Sequence, residues 1–176
     1  LLFLLFTMLF CCMFFQIFAT LTVFYTEVLK LSPFQVGLTM YFNGLMIVLF
    51  EMAIVFSLEP KNIHLRLINI GVLFVGLSCV LYNILPGTFY LALFLNIVLT
   101  VGEMLTMPFM NSFWISRTDT TNRGQYAGLY TVAWSTAQVA GPFAGSQVAQ
   151  HYGFHMLWWC IAGLSALLAI GLRLIR

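Results

Sequence analysis

The sequence predicts an all-α membrane protein with six transmembrane helices, arranged as two three-helix units of which the second is inverted. Three observations carry that expectation. The chain is 62% hydrophobic and 7% charged over 176 residues, with a mean hydropathy of +1.01, whereas a soluble domain carries about 25% charged residues. The charges collect in short loops separated by one or two lengths of about 20 apolar residues, enough to cross a bilayer as a helix. Lys and Arg favour alternate loops, as the positive-inside bias requires. No stretch has the alternation of about ten residues that marks a membrane barrel strand.

Each span follows from its boundaries. Residues 1–26 contain no charge, which sets a first span at about 3–25 before Glu27, Lys30, Ser32 and Pro33. A second, at about 34–58, is interrupted only by Glu51 and ends at Glu59-Pro60-Lys61-Asn62-Ile63-His64-Leu65-Arg66. Residues 67–114 hold two more, at about 66–83 and 89–114, divided at Pro86-Gly87, a turn signal. After the polar loop Ser116–Arg123, the last two lie at about 124–149 and 155–173, divided near Gln150-His151-Tyr152-Gly153.

One side of the membrane then receives Lys61, Arg66, Arg117, Arg123, Arg173 and Arg176, and the other only Lys30. This places both ends of the segment in the cytoplasm and the protein in the plasma (inner) membrane, with lipid as its first partner. The net charge of +2 reflects that topology, not a nucleic-acid partner. The chain begins at Leu1 within an apolar run, without a basic flank, so a preceding N-terminal part is expected.

Composition argues against enzymatic chemistry. His64, His151 and His155 fall at span ends, and there is no Gly-x-Ser-x-Gly, no His-Glu-x-x-His and no phosphate-binding glycine loop. Cys11, Cys12, Cys79 and Cys160 lie within spans without metal-ligand spacing, and read as small apolar fillers. No cofactor and no metal are expected. Phe24, Tyr25 and Tyr41 read first as interfacial aromatic belt residues, with cavity lining as the alternative.

The strongest functional signal is Glu103, the one charged residue between Arg66 and Arg117. An acid at the centre of a membrane helix costs roughly 2.5–3.5 kcal/mol on insertion scales, and such groups face bundle interiors or aqueous paths. Asn96, Thr100, Glu103, Met107 and Asn111 share one face of the fourth span. That face reads as a substrate path, with Glu103 near mid-depth for proton coupling or cation recognition. The plainer alternative is an acid locked into hydrogen bonds with a neighbouring helix. Glu51, seven residues and so about 10 Å before Leu58 at the cytoplasmic end of the second span, is a second candidate of the same kind. Asn43, on roughly the same face as Glu51, and Gln16 and Thr20 on the first span extend the path. On the fifth span Ala137, Gly141, Gly145 and Ala149 recur every four residues, with Pro142 beside Gly141. This stripe reads as close helix packing, or as a face that slides during a conformational cycle.

Gln35-Val36-Gly37-Leu38 in the second span is echoed by Gln125-Tyr126-Ala127-Gly128-Leu129 in the fifth, three spans later, which suggests the inverted repeat. The order Gly102-Glu103-x-x-x-x-Pro108, Arg123-Gly124-Gln125-Tyr126-x-Gly128-Leu129-Tyr130, Ala140-Gly141-Pro142-x-x-Gly145 and Leu157-Trp158, with Tyr41-Phe42-Asn43-Gly44-Leu45 upstream, resembles the C-terminal half of a major facilitator superfamily transporter, most of all the bacterial multidrug-efflux-like members. The resemblance covers the whole chain. It implies that residues 1–176 are the C-terminal transmembrane half-domain of a twelve-helix protein, whose partner is the missing N-terminal six-helix half. The first and fourth spans would line the cavity, the second and fifth would face the other half, and Arg123 and Gly124 would belong to a cytoplasmic gate. The loop 59–66 departs from the family's gating loop, having neither Gly nor Asp. The implied function is a secondary active transporter that exports small amphipathic or drug-like molecules by alternating access, coupled to protons. The alternatives are nutrient uptake (a sugar or a peptide) by the same fold, or a non-transporting scaffold or receptor.

Overall fold

A computed structural model of the protein describes residues 2–85, 87–119 and 121–174. The turn signal at Pro86 and the last counted cation, Arg176, lie outside the described residues. Every regular element among the described residues is helical. Five helices among the described residues are long and apolar enough to cross a membrane.

Helix α1, Leu2–Glu27, closes with Lys30 at φ 54° and a hydrogen bond from the Leu31 amide to the Tyr25 carbonyl. This wrap satisfies carbonyls that the helix end would leave open. Ser32 then starts α2, Pro33–Met46, in a reciprocal cap. Its hydroxyl accepts from the Gln35 amide, while its own amide donates to the Gln35 side chain, and Pro33 occupies the first turn.

The helix continues through a π turn, Ile47–Glu51, into α3, Met52–Leu58, and a 3₁₀ turn, Glu59–Lys61. Asn62, at φ 53°, reverses the chain. Helices α4, His64–Ile84, and α5, Phe89–Ile115, follow, with Thr88 capping α5 through its hydroxyl. The remaining helix, α6, is Arg123–Leu174, 52 residues with a non-helical break at Gly153 (φ 80°, ψ 166°). Only glycine adopts that backbone readily.

The core joins α1, α4, α5 and the part of α6 beyond Gly153. Phe10, Ile17, Ile68, Val72, Phe109 and Trp158 are all but fully buried. Glycines set the spacing. A Cβ on Gly102 would stand 2.8 Å from the Gly71 carbonyl, and one on Gly71 would fall on Thr106 Oγ1, so α4 and α5 meet almost backbone to backbone. The stripe on α6 works in the same way against α1. Ala137, Gly141 and Gly145 are buried; a Cβ on Gly141 would meet the Cys12 backbone, and one on Gly145 the Gln16 side chain.

Belt placement fails for Phe24 and Tyr25. Both are buried, because α1 packs on α4 and α6 at this level. The Tyr25 and Tyr82 hydroxyls bond to each other, which satisfies polar tips that burial would otherwise orphan. Tyr41 is exposed.

Candidate functional site

Three helical faces carry the candidate residues. The principal group lies between α2 and α5. Asn96 and Thr100, four apart on α5, face α2 and are buried. Asn96 Nδ2 donates to the Thr39 carbonyl at 3.0 Å, and Thr100 Oγ1 donates to the Asn96 carbonyl at 2.7 Å. From α2, Asn43 Nδ2 donates to Thr100 Oγ1 at 2.8 Å and to Glu103 Oε2 at 3.4 Å. Glu103 is 9% exposed. Its carboxyl therefore sits in a polar cross-link between two helices rather than against hydrocarbon. Toward the end of α5 the face opens: Met107 is half-buried and Asn111 is exposed.

The π turn explains how Glu51 joins this group. In an ideal α-helix eight residues rotate through about 800°, which would leave Glu51 about 80° around from Asn43. One residue accommodated in a π turn removes about 100° of rotation and returns Glu51 to the Asn43 face. Thr39 and Asn43 are buried and Ile47, Glu51 and Val55 half-buried, while Val48, Leu49, Phe50 and Met52 are exposed. The π turn that carries Glu51 packs against α5, the helix of Glu103.

The second group lies between α1 and α6. Gln16 Nε2 donates to Thr20 Oγ1 at 2.7 Å, and that hydroxyl donates to the Gln16 carbonyl at 3.0 Å. Gln16 Oε1 is buried without a hydrogen-bond partner. Beside it, Thr20, Glu27, Pro142, Ser146 and Gln150 line a cavity of about 720 Å³. Glu27, Ser146 and Gln150 were not among the sequence candidates. Pro142, Ser146 and Gln150 recur every four residues, a period that marks Ser146 within the expected fifth span and reaches Gln150 only because the helix continues past residue 149.

Arg123 and Gly124 open α6 and are exposed. Just before them the Asp119 amide donates to Asn122 Oδ1 at 2.9 Å. They stand apart from the Glu103 group. Trp114 Nε1 donates to the Tyr126 carbonyl at 2.8 Å and ties the end of α5 to the start of α6.

No family model, curated protein or solved structure matches the chain. The functional reading therefore rests on this geometry and on the sequence.

Proposed function

We propose that the chain is half of a proton-coupled secondary transporter of the major facilitator type, exporting small amphipathic or drug-like molecules, and that Glu103 is its proton-carrying group. One observation carries the reading: a buried carboxyl is bonded, through Asn43, to a helix that is otherwise almost unpartnered.

In this reading α6 crosses the bilayer twice, divided at Gly153, giving six spans. At about 1.5 Å per residue its 52 residues would run about 78 Å if straight, more than twice the hydrocarbon thickness of about 30 Å. The exposed apolar side chains of α2–α3 (Phe34, Val48, Met52, Phe56) and of the first part of α6 (Val132, Val139, Phe143) suit cover by a second six-helix unit. These are the second and fifth spans, those that the family resemblance turns toward the other half. The positive-inside bias then puts both ends of the segment in the cytoplasm.

The chemistry follows from the cross-link. A charged Glu103 accepts the Asn43 amide. A protonated one keeps a carbonyl acceptor but loses the charge that strengthens the bond, so proton uptake would loosen α2 from α5. Differential interaction of this kind is what a ligand-driven change of state requires. Asn96, Thr100, Met107 and Asn111 on α5, with Gln16 and Thr20 on α1, would line the path, and Met and aromatic neighbours would provide an adaptable apolar surface.

In proteoliposomes of the full-length protein under an imposed pH gradient, Glu103→Gln should abolish gradient-driven flux and leave membrane insertion intact. Wild-type flux with unchanged pH dependence would refute the role. The Asn43–Glu103 hydrogen bond itself favours a second reading, a purely structural tie. Gln keeps an oxygen acceptor for Asn43, so on that reading the variant would behave as wild type in both stability and transport.

A further inference from the structure

We propose that a cavity at the ends of α4 and α5 holds the phosphate of an anionic membrane lipid. The site rests on the chain crossing a bilayer and is independent of transport. The cavity is about 370 Å³ and is lined by Asn62, His64, Arg66, Phe113, Ser116 and Arg117, among others, with no acid in its wall.

Two arginines from different elements converge there. Arg66 is in the first turn of α4, and Arg117 follows the end of α5. Both are exposed, and neither makes an ion pair among the described residues. Arg117 lies over the Phe113 ring, with its guanidinium carbon 4.3 Å from the centroid, which holds the cation beside the cavity.

The start of α4 adds a second attraction. Its N-cap is Ile63, and no side chain caps it, so the His64 and Leu65 amides keep their donors, that of Arg66 being given to the Ile63 carbonyl, and the positive end of a 21-residue helix points to this end of the molecule. His64, in that same turn, is nine-tenths buried, and its Nε2 makes no hydrogen bond. The acid nearest to it is Glu59, with Oε1 at 3.3 Å but without the alignment of a hydrogen bond. The Ser116 hydroxyl is already given to the Phe113 carbonyl and offers no donor to a ligand.

Two guanidiniums, an uncapped helix start and a buried imidazole suit a phosphate better than a carboxylate, since three or four oxygens can each take a donor. The position favours a lipid as the source. The cavity lies where two apolar spans end, at headgroup level, and basic pockets between membrane helices take anionic headgroups.

Native mass spectrometry of the whole protein with equal amounts of phosphatidylglycerol and phosphatidylcholine tests this. Wild type should retain phosphatidylglycerol about tenfold over phosphatidylcholine, the scale of one charge-assisted hydrogen bond. The double variant Arg66→Gln/Arg117→Gln should bring that ratio close to unity, whereas Lys30→Gln, in the loop between α1 and α2, should leave it unchanged. Excess inorganic phosphate should not displace the lipid. Equal retention of both lipids by wild type, an unchanged ratio in the double variant, or the same loss in Lys30→Gln would overturn the site. Displacement by inorganic phosphate at the lipid's own concentration would overturn the lipid as its ligand.

Discussion

Helix α4 and the α2–α3 helix are both apolar enough to cross a membrane, yet in their most apolar stretches 56% of α4 residues are buried and only 6% of those in α2–α3. Helix α4 is fixed mainly by shape. Gly71 lets α5 approach to backbone distance and Gly76 makes room for the Ser165 side chain of α6, while Val72 and Val75 fill the contact. Helix α2 has no such contact: Gly37 and Gly44 face open space. It is held by Asn43 and by the Asn96–Thr39 bond. Membrane helices lack a strong hydrophobic drive toward one another, so close packing and hydrogen bonds are what remain. Helix α4 relies mainly on the first, with a buried bond of its own from Asn69 to the Ala169 carbonyl, and α2 relies on the second.

The largest expected effect is at the packed contact. Gly71→Leu should force α4 from α5 and cost about 1–3 kcal/mol or more, seen as loss of folded protein in detergent unfolding curves. Next is the backbone break in α6. Gly153→Ala places a side chain at φ 80°, where strain costs about 1–3 kcal/mol, and should lower the melting temperature although no atom lies within 4 Å of the added Cβ. Asn43→Ala should cost less, about 0.6 kcal/mol and at most about 1.7, while raising the rate of α2–α5 separation in cysteine cross-linking. The smallest effect is Gly44→Ala, where the open position allows a gain of about 0.4–1 kcal/mol. If Gly44→Ala proved as damaging as Gly71→Leu, the contrast between the two helices would be wrong.

Much of this frame can be read from the residues. The charged loops at 59–66 and 116–123 mark real helix ends, and the four- and three-residue steps from Asn96 to Glu103 mark a face that is buried in the fold. Gly141 and Gly145 announce close packing, although the sequence does not say against what; the partner is α1 at Cys12 and Gln16. Tyr25 is misread because an aromatic at a span end suits an interface equally well, and only the proximity of Tyr82 from α4 decides for burial. The π turn is silent in Ile47-Val48-Leu49-Phe50-Glu51, which has ordinary helix-compatible residues. Its consequence, the return of Glu51 to the Asn43 face, depends on hydrogen bonding that no side-chain pattern encodes. Glu59 and His64 are likewise loop residues until the 3₁₀ turn brings them together.

The central claim is that Glu103 carries the coupled proton. Its most direct test is proton movement recorded with a pH-sensitive dye inside proteoliposomes of the full-length protein as substrate is added. Wild type should show substrate-dependent proton flux, and Glu103→Gln, inserted and folded to the same extent, should show none. Substrate-dependent proton flux in Glu103→Gln equal to wild type would contradict the account and leave Glu103 as a tie between α2 and α5.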